Sequence, residues 1–174
     1  MEVTIRHFDA CACNDLFALF QNVYSTSEGM SETLAEKYVH INEFKKEMTR
    51  IRRLPGAITL AAVIKKQPVA YLIIKPRISS KLKHTAELNM GVAQPVRGQG
   101  IGMMILQTGL KRAEVEAEVE IVYLMVRSDN TPAVKLYQRM GFETLALLHR
   151  DIKIDGRYFD GLLMRRFIKD SDYL

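Results

Sequence analysis

The segment Arg97-Gly98-Gln99-Gly100-Ile101-Gly102 has the residue types of a phosphate-binding loop. The alternating segment Thr85–Val92 before it predicts a strand, and the apolar-periodic segment after it predicts a helix from Gly100 to about Ala117. Glycines at alternate positions leave little side chain above the backbone, so N–H groups at the start of the helix can converge on an anion. Arg97 adds a positive charge that can reach phosphate oxygens. The sequence therefore predicts a phosphate cradle.

The spacing of these glycines argues against the two most familiar nucleotide-binding loops. A Walker loop ends in Gly-Lys-Ser/Thr, whereas Met103 and Met104 follow the last glycine here. In a dinucleotide-binding fingerprint the third glycine comes three residues after the second, and here it comes one residue early. The predicted strand also ends well upstream, before Pro95. The pyrophosphate of another carrier remains as the ligand.

A second segment with chemical potential runs from Asn130 to Phe142. It predicts a short helix, 133–140, that is capped by Asn130 or Thr131 and followed by a glycine. Tyr137 lies on this helix, where a tyrosine is most often a packing residue. Its position gives it interest, because a loop after a central strand is where an open α/β sheet places ligands.

These segments require a sheet and helices to position them, and strands and helices alternate along the whole chain. The predicted strands are Val3–Phe8, Ala57–Lys65, Val69–Pro76, Thr85–Val92, Ile121–Arg127, Glu143–Ile154 and Arg157–Phe167. The other predicted helices are Asp9–Tyr24 and one that Ser31 caps and that runs to about Arg53. The pattern predicts a mixed sheet with helices on both faces, in a single domain spanning residues 1–174.

Composition and charge narrow the classes of function. The net charge is +5, but the basic residues are spread along the chain, so nucleic acid is not expected as a partner. No apolar run is long enough to span a bilayer, and the first residues contain no apolar region like that of a secretory signal peptide. Both observations favour a cytoplasmic protein without membrane contact. Cys11 and Cys13 have no second ligand pair nearby, so we expect reduced thiols and no metal.

Together the two segments resemble the GCN5-related N-acetyltransferase (GNAT) superfamily. Arg97-x-x-Gly100-x-Gly102 after a strand is similar to that family's acetyl-CoA pyrophosphate loop. Asn130-x-x-Ala133-x-x-Leu136-Tyr137-x-x-x-Gly141-Phe142 is similar to its second signature. Either motif alone is weak, whereas the pair in this order is specific. The order of elements extends the resemblance over nearly the whole chain, and the tail is similar to that of many bacterial members. Gln94 stands where the family often has proline.

The resemblance implies an α/β GNAT fold, with a mixed central sheet of about seven strands whose fourth and fifth strands splay apart. It implies acetyl-CoA as cosubstrate, with pantetheine inserted in the splay. The residues that would hold its pyrophosphate are Val96, Arg97, Gly98, Gln99, Gly100, Ile101 and Gly102. Backbone groups of Met90, Gly91 and Val92 would hold the pantetheine, and one N–H would polarise the thioester carbonyl and hold the oxyanion. Asn130 would bond the pantetheine or order its loop.

The resemblance also implies catalytic roles for two residues. Tyr137 would protonate the departing CoA thiolate as general acid. Glu87, on the strand beside the reaction centre, would act as base directly or through water. The structural alternative for Glu87 is an ion pair with Arg77 or Lys83. His84 is a weaker candidate for the base.

The acceptor stays open at this point. Acidic residues of the second predicted helix suit a polyamine or aminoglycoside, although such a set more often forms a solvated face paired with lysine and arginine; they are Glu32, Glu36, Glu43 and Glu47. The basic connector with Arg77, Lys81 and Lys83 suits an acidic peptide or a phosphorylated amine instead. His149 and Arg150, on the sixth strand, are further candidates for substrate contact.

The sequence therefore predicts an acetyl-CoA-dependent N-acetyltransferase. A primary amine of a small molecule or a peptide would attack the bound thioester directly in a ternary complex, without a covalent enzyme intermediate. The alternative is a non-catalytic acyl-CoA-binding or sensor domain on the same fold. A longer acyl chain and a homodimer stay open.

Overall fold

Seven strands form one mixed sheet in the computed structural model, which describes residues 2–30 and 32–169. They are β1 (Thr4–His7), β2 (Ile58–Ile64), β3 (Gln67–Pro76), β4 (Thr85–Val92), β5 (Ile121–Arg127), β6 (Glu143–Ile154) and β7 (Arg157–Phe167). Their order across the sheet is β1-β2-β3-β4-β5-β7-β6. Every neighbouring pair is antiparallel except β4 and β5, which are parallel. The predicted fold class is confirmed.

Helices cover both faces of this sheet. They are α1 (Cys13–Thr26), α2 (Leu34–Lys37), α3 (Ile41–Arg52), α4 (Ile101–Glu116) and α5 (Thr131–Arg139), with 3₁₀ turns at Phe8–Ala10 and Gln94–Val96. Among the described residues, no helix has the length and apolar character needed to cross a membrane.

Alternation along the central strands creates two separate cores, because successive side chains of a strand point to opposite faces. Leu72 and Ile74 of β3 pack with Ile105 of α4 in the larger core. The intervening residues Tyr71 and Ile73 pack with α1 and α3 in the second core. The face covered by α4 and the face covered by α1 and α3 are therefore built from adjacent positions of the same strands.

The predicted second helix is wrong as a single element, since the chain forms α2 and α3 instead. Thr33 caps α2 by accepting a hydrogen bond from the Glu36 N–H at 3.2 Å, while the Glu36 carboxylate accepts one from the Thr33 N–H at 2.7 Å. Tyr38 then leaves the helix and is buried against Phe44, with ring centroids 5.3 Å apart. Ser31, the predicted cap, lies outside the described residues. Burial of an aromatic side chain between two capping signals breaks the helix.

Two smaller boundaries also differ from the prediction. Helix α1 begins at Cys13 instead of Asp9, because Phe8 is buried in a 3₁₀ turn that precedes it. The β2–β3 turn is formed by Lys65 and Lys66, whose φ angles are 48° and 70°, and β3 begins at once after it.

Gly109 explains how closely α4 approaches the sheet. A Cβ atom at this position would lie 2.6 Å from Cδ2 and 3.0 Å from Cδ1 of Leu72, which is fully buried on β3. Glycine is unfavourable inside a helix, but here its missing side chain permits helix–sheet contact. The residue therefore stabilises the packing that carries α4.

We expect Gly109→Ala to lower the free energy of unfolding by about 1–3 kcal/mol, because the added methyl group overpacks the contact with Leu72. In a Leu72→Ala background the same change should be neutral or stabilising by up to about 1 kcal/mol, since alanine favours the helix. Urea denaturation of the four proteins in this double-mutant cycle measures the difference. An equal cost in both backgrounds would contradict the proposed contact.

Candidate active site

The parallel pairing of β4 with β5 stops after three positions. Thr85, Ala86 and Glu87 pair with successive residues of β5, and the pairing ends at Tyr123. Strand β5 continues beside β7 as far as Arg127. The two central strands therefore splay apart, and a gap opens beside residues 88–92 of β4.

Backbone N–H groups of β4 point into this gap. The Ala93 N–H donates to the Val69 carbonyl at 2.8 Å, so Ala93 faces β3. Because N–H groups of successive strand residues point to opposite sides, those of Met90 and Val92 face the gap, and that of Gly91 faces β3. The structure thus distinguishes Gly91 from its two neighbours in the predicted set.

Gly91 contributes the absence of a side chain. A Cβ atom there would lie 2.5 Å from Cγ1 of Val23 and 2.8 Å from Cε1 of Tyr71. Glycine therefore lets α1 and the Tyr71 ring close against β4 at the edge of the splay.

Tyr71 is a residue of this region that the sequence did not single out. Its ring is fully buried and stacks on Phe20 with centroids 3.9 Å apart. Its buried hydroxyl has no hydrogen-bond partner within residues 2–30 and 32–169. Burial raises the pKa of Tyr71 well above its ordinary value, and the nearby phenols of Tyr24 and Tyr137 add to the effect. In the sequence, Tyr71 is an ordinary aromatic residue of an apolar strand, so no local pattern distinguishes it as part of the site.

The loop between β4 and α4 leaves backbone donors open. Gly98 and Gly100 have φ angles of 76° and 82°, and within the described structure no atom lies within 4 Å of a Cβ built on either. Gly100 is the N-cap of α4, and its carbonyl accepts the first helical hydrogen bond from the Met104 N–H at 3.1 Å. The preceding N–H groups of the helix, beginning at Ile101, have no acceptor within the helix. This geometry suits an anion.

Arg97 ties this loop to the rest of the protein. Its Nε donates to the Val92 carbonyl at 2.9 Å, and its Nη1 donates to the Thr26 carbonyl at 2.9 Å. Its Nη2 donates to the Thr26 hydroxyl at 2.8 Å. The sequence predicted a charge that reaches phosphate, whereas the structure also gives the guanidinium a positioning contact that links β4, the loop and the end of α1. Gln99 bonds within the loop, donating to the Pro95 carbonyl at 3.3 Å.

A buried arginine orders the loop that follows β5. Arg127 donates to both carboxylate oxygens of Asp129, at 2.9 and 2.5 Å, and to the Glu28 carbonyl at 2.7 Å. Its guanidinium lies 3.7 Å from the Phe159 ring centroid. The side-chain oxygen of Asn130 then accepts a hydrogen bond from the N–H at position 133, at 3.4 Å. Asn130 is therefore the N-cap of α5, which decides between the two predicted caps, Asn130 and Thr131.

Tyr137 lies on α5 and is partly buried against the core beneath α4. Its ring packs edge-on against Phe142, with centroids 5.8 Å apart. Burial raises the pKa of Tyr137 to about 12. The phenol consequently keeps its proton throughout the neutral and moderately alkaline range.

The two sequence motifs meet at the start of α4. A Cβ atom on Gly102 would lie 3.4 Å from Cδ2 of Leu136 on α5 and 3.5 Å from Cγ2 of Val92 on β4. The next nearest atom, at 3.8 Å, is Cε of Met90. The anion loop, the splayed strand and the tyrosine helix are therefore in mutual contact.

Glu87 is the last residue of β4 that pairs with β5, and its side chain is mostly exposed. Its Oε1 is 3.6 Å from Nε of Arg77, so one of the two predicted ion-pair partners is present. The other, Lys83, pairs with Glu118 at 2.8 Å. Glu87 also lines a cavity of about 440 Å³ beside the splay, on the face covered by α1 and α3. It is thus both a structural ion pair and a lining residue.

The other candidates lie apart from this cavity. The His84 carbonyl accepts hydrogen bonds from the N–H groups of residues 120 and 121, and so joins the two parallel strands at their start. His149 bonds to Asp160 at 3.1 Å, and Arg150 has a φ of 56° in a bulge of the edge strand β6. None of the three lines the cavity.

The sequence was also compared with models of known protein families, and the result agrees with this arrangement of splayed strands, anion loop and tyrosine helix. The model of the Acetyltransferase (GNAT) family matches residues 18–142. The chain belongs to this family. This confirms the predicted family and its enzyme class, the acetyltransferases.

Curated relatives of this GNAT protein match over very different lengths. The L-amino acid N-acetyltransferase AaaT of Escherichia coli is 24% identical over 95% of this chain and 98% of its own length. An N-alpha-acetyltransferase of Sulfolobus acidocaldarius is 34% identical over 53% of this chain and 60% of its own length. A mycothiol acetyltransferase of Corynebacterium aurimucosum is 47% identical over 30% of this chain, and the chain spans only 17% of that relative.

Solved structures share the fold over nearly the whole chain. A GNAT acetyltransferase of Streptococcus pneumoniae has a TM-score of 0.87 at 21% identity, covering 95% of this chain and 99% of its own. The protein yncA of Salmonella typhimurium, solved with its cofactor acetyl-CoA, has a TM-score of 0.87 at 17% identity, covering 100% of this chain and 98% of its own. At these identities the likeness establishes the fold.

We expect Arg97→Ala to destabilise the ligand-free protein by about 1 kcal/mol, because three hydrogen bonds to Val92 and Thr26 are lost. Amide hydrogen exchange in the 97–102 loop should also accelerate. Arg139→Ala, on the exposed last turn of α5, serves as the matched control and should change neither. If Arg97 only contacted a phosphate, the ligand-free protein would be unaffected by both substitutions.

Proposed function

We propose that this protein is an acetyl-CoA-dependent N-acetyltransferase that transfers the acetyl group to a primary amine by direct attack in a ternary complex. The observation that carries the proposal is the contact at Gly102 between the anion loop, the splayed strand β4 and the helix of Tyr137. One end of this arrangement suits a pyrophosphate, and the other presents backbone donors and a protonated phenol.

The residues present fit acetyl-CoA. The open backbone at Gly98 and Gly100 suits its pyrophosphate, with residues 96–102 as the holding segment. Backbone groups of Met90 and Val92 that face the splay would hold the pantetheine, and Asn130 orders the adjoining loop. The bound cosubstrate supplies an acetyl group activated as a thioester.

The chain's own groups then have distinct tasks. An N–H of Met90 or Val92 donates to the acyl carbonyl oxygen and stabilises the negative charge that develops on it. The Tyr137 phenol, which is protonated at neutral pH, gives its proton to the thiolate that forms beside it. Glu87, directly or through water, accepts the proton of the attacking amine. Proximity of the two bound substrates makes a covalent enzyme intermediate unnecessary.

The relatives support an amine as acceptor, in small molecules as well as at peptide N-termini. By their names, AaaT acts on L-amino acids and the archaeal relative on N-alpha groups. A primary amine is the group that these acceptors share.

We expect Tyr137→Phe to lower turnover by about 10²-fold or more, because general acid catalysis is lost while the ring packing on Phe142 remains. The dissociation constant for acetyl-CoA should change little. Tyr158→Phe, on an exposed tyrosine of β7, is the matched control and should leave turnover unchanged. Thiol release from acetyl-CoA measures turnover, and calorimetry measures affinity.

The pH profile gives a second readout of Tyr137. With a pKa of about 12, the phenol should cause no loss of turnover below about pH 11. Equal turnover of Tyr137→Phe and the parent protein would remove the acid role. Binding of acetyl-CoA without thiol release to any amine would instead indicate an acyl-CoA-binding domain.

We expect Gly100→Ala to abolish most of the thermal stabilisation that saturating acetyl-CoA gives, because a methyl group enters the open space of the loop. Gly156→Ala is a close control, since Gly156 has a φ of 80°, no atom within 4 Å of an added Cβ among described residues, and a place in the distant β6–β7 turn. Both changes carry a similar backbone cost of about 1 kcal/mol. If both variants lost the same part of the rise in melting temperature caused by acetyl-CoA, the role of the loop in binding would be contradicted.

A further inference from the structure

The 440 Å³ cavity beside the splay lies where an acceptor can approach β4 from the side of α1 and α3. Cross-strand register places Lys75 opposite Glu87 and Ile73 opposite Asn89, and all four residues line the cavity. Asn89 lies two residues beyond Glu87, in the part of β4 that no longer pairs with β5. The cavity therefore runs along β4, from the splay at Asn89 outward to Lys75.

The acidic residues that suit a polyamine are engaged elsewhere. Glu36 caps α2, and Glu43 accepts a hydrogen bond from the Val39 N–H at 2.7 Å. Glu47 lines the cavity, but it receives two hydrogen bonds of 2.7 Å from Arg50, which lies outside it. These hydrogen bonds lower the pKa of Glu47, so the carboxylate stays ionised, and the guanidinium of Arg50 compensates its negative charge. The helix carboxylates thus form caps and ion pairs, not a cation site.

The basic residues of the cavity are less completely paired. Lys75 Nζ is 3.8 Å from the Glu47 carboxylate, which Arg50 already occupies. Lys37 Nζ is 3.7 Å from the exposed Glu32. Both separations exceed normal hydrogen-bond lengths, so these ammonium groups keep donors for another anion.

The charge of the lining also decides against a polycation. Arg77 is the third basic residue there, with Glu87 as its partner at 3.6 Å. Once Arg50 satisfies Glu47, Lys37 and Lys75 leave an excess of positive charge on the outer part of the cavity. A second ammonium group of an acceptor would meet like charge there, whereas a carboxylate would be attracted.

We propose that the acceptor is a small primary amine that also carries an anionic group, a carboxylate or a phosphonate. Lys75 and Lys37 bind the anion, and the amine points toward Asn89 and the splay. This inference rests on the proposed acetyl transfer and names the substrate class of the same site. It resolves the two conflicting charge signals of the sequence in favour of an anionic acceptor.

The test uses pairs of amines that differ only in the anionic group, with saturating acetyl-CoA and thiol release as readout. Leucine is compared with 3-methylbutylamine, and 2-aminoethylphosphonate with ethylamine, so that the carboxylate and phosphonate arms are separated. Spermidine and a leucine-initiated dipeptide amide, which has no carboxylate, complete the panel. We expect at least one anionic amine to have a kcat/KM about tenfold or more above that of its uncharged partner.

Variants locate the anion site. Lys75→Gln should raise KM for the preferred anionic amine by about tenfold, with little change in kcat, in KM for the uncharged partner or in acetyl-CoA affinity. Lys75→Arg should restore most of the loss, because it keeps the charge. Lys111→Gln, an exposed lysine of α4 on the opposite face, is the matched control and should change nothing.

The outcomes separate this inference from the proposed function. If acetyl-CoA fails to bind and no amine releases thiol, the acetyltransferase proposal itself fails. If thiol is released but spermidine, the dipeptide or the uncharged amines are preferred, only the anionic acceptor is overturned. An equal effect of Lys75→Gln and Lys111→Gln would likewise overturn the assignment of the anion to Lys75.

Discussion

Parallel pairing that stops after Glu87 and Tyr123 leaves backbone donors unsatisfied in the middle of a sheet. Such donors are costly to bury without partners, which suits them to hydrogen bonding with a bound molecule. Gly91 lets α1 and Tyr71 close one side, and the contact of Gly102 with Leu136 fixes the other. The two cores on opposite faces pack against these walls and so position the splay.

Local signals predicted the parts of this site whose geometry depends on neighbours in sequence. The glycine-rich loop at 97–102, a cap of α5 at Asn130 or Thr131 and the bounds of β4 to β7 were all predicted from short patterns. Contacts between distant segments were not predictable in this way. Arg97 donates a hydrogen bond to Thr26, which is 71 positions away, and no local sequence pattern at either residue predicts this contact. The break at Tyr38 likewise depends on its burial against Phe44, a tertiary effect.

Charge illustrates why the sequence alone left the class of acceptor open. The acidic residues after position 31 form a conspicuous set in sequence, yet Glu36 and Glu43 are spent on backbone N–H groups and Glu47 on Arg50. Lys37 and Lys75 are far apart in sequence, yet both line one cavity because the end of α2 lies beside β3 in the fold. The sign of the field at a site depends on which charges remain unneutralised after folding.

The separation of the two cores has a consequence for how such a protein can diversify. The cradle at Gly100 and the helix of Tyr137 belong to the core beneath α4, whereas Lys37, Tyr38 and Glu47 belong to the layer of α2 and α3 on the other face. Under the proposed function, substitutions in that layer would alter which acceptor is recognised and leave the residues proposed to hold acetyl-CoA in place. The proposal thereby places delivery of the acyl group and choice of its recipient on different sides of one sheet.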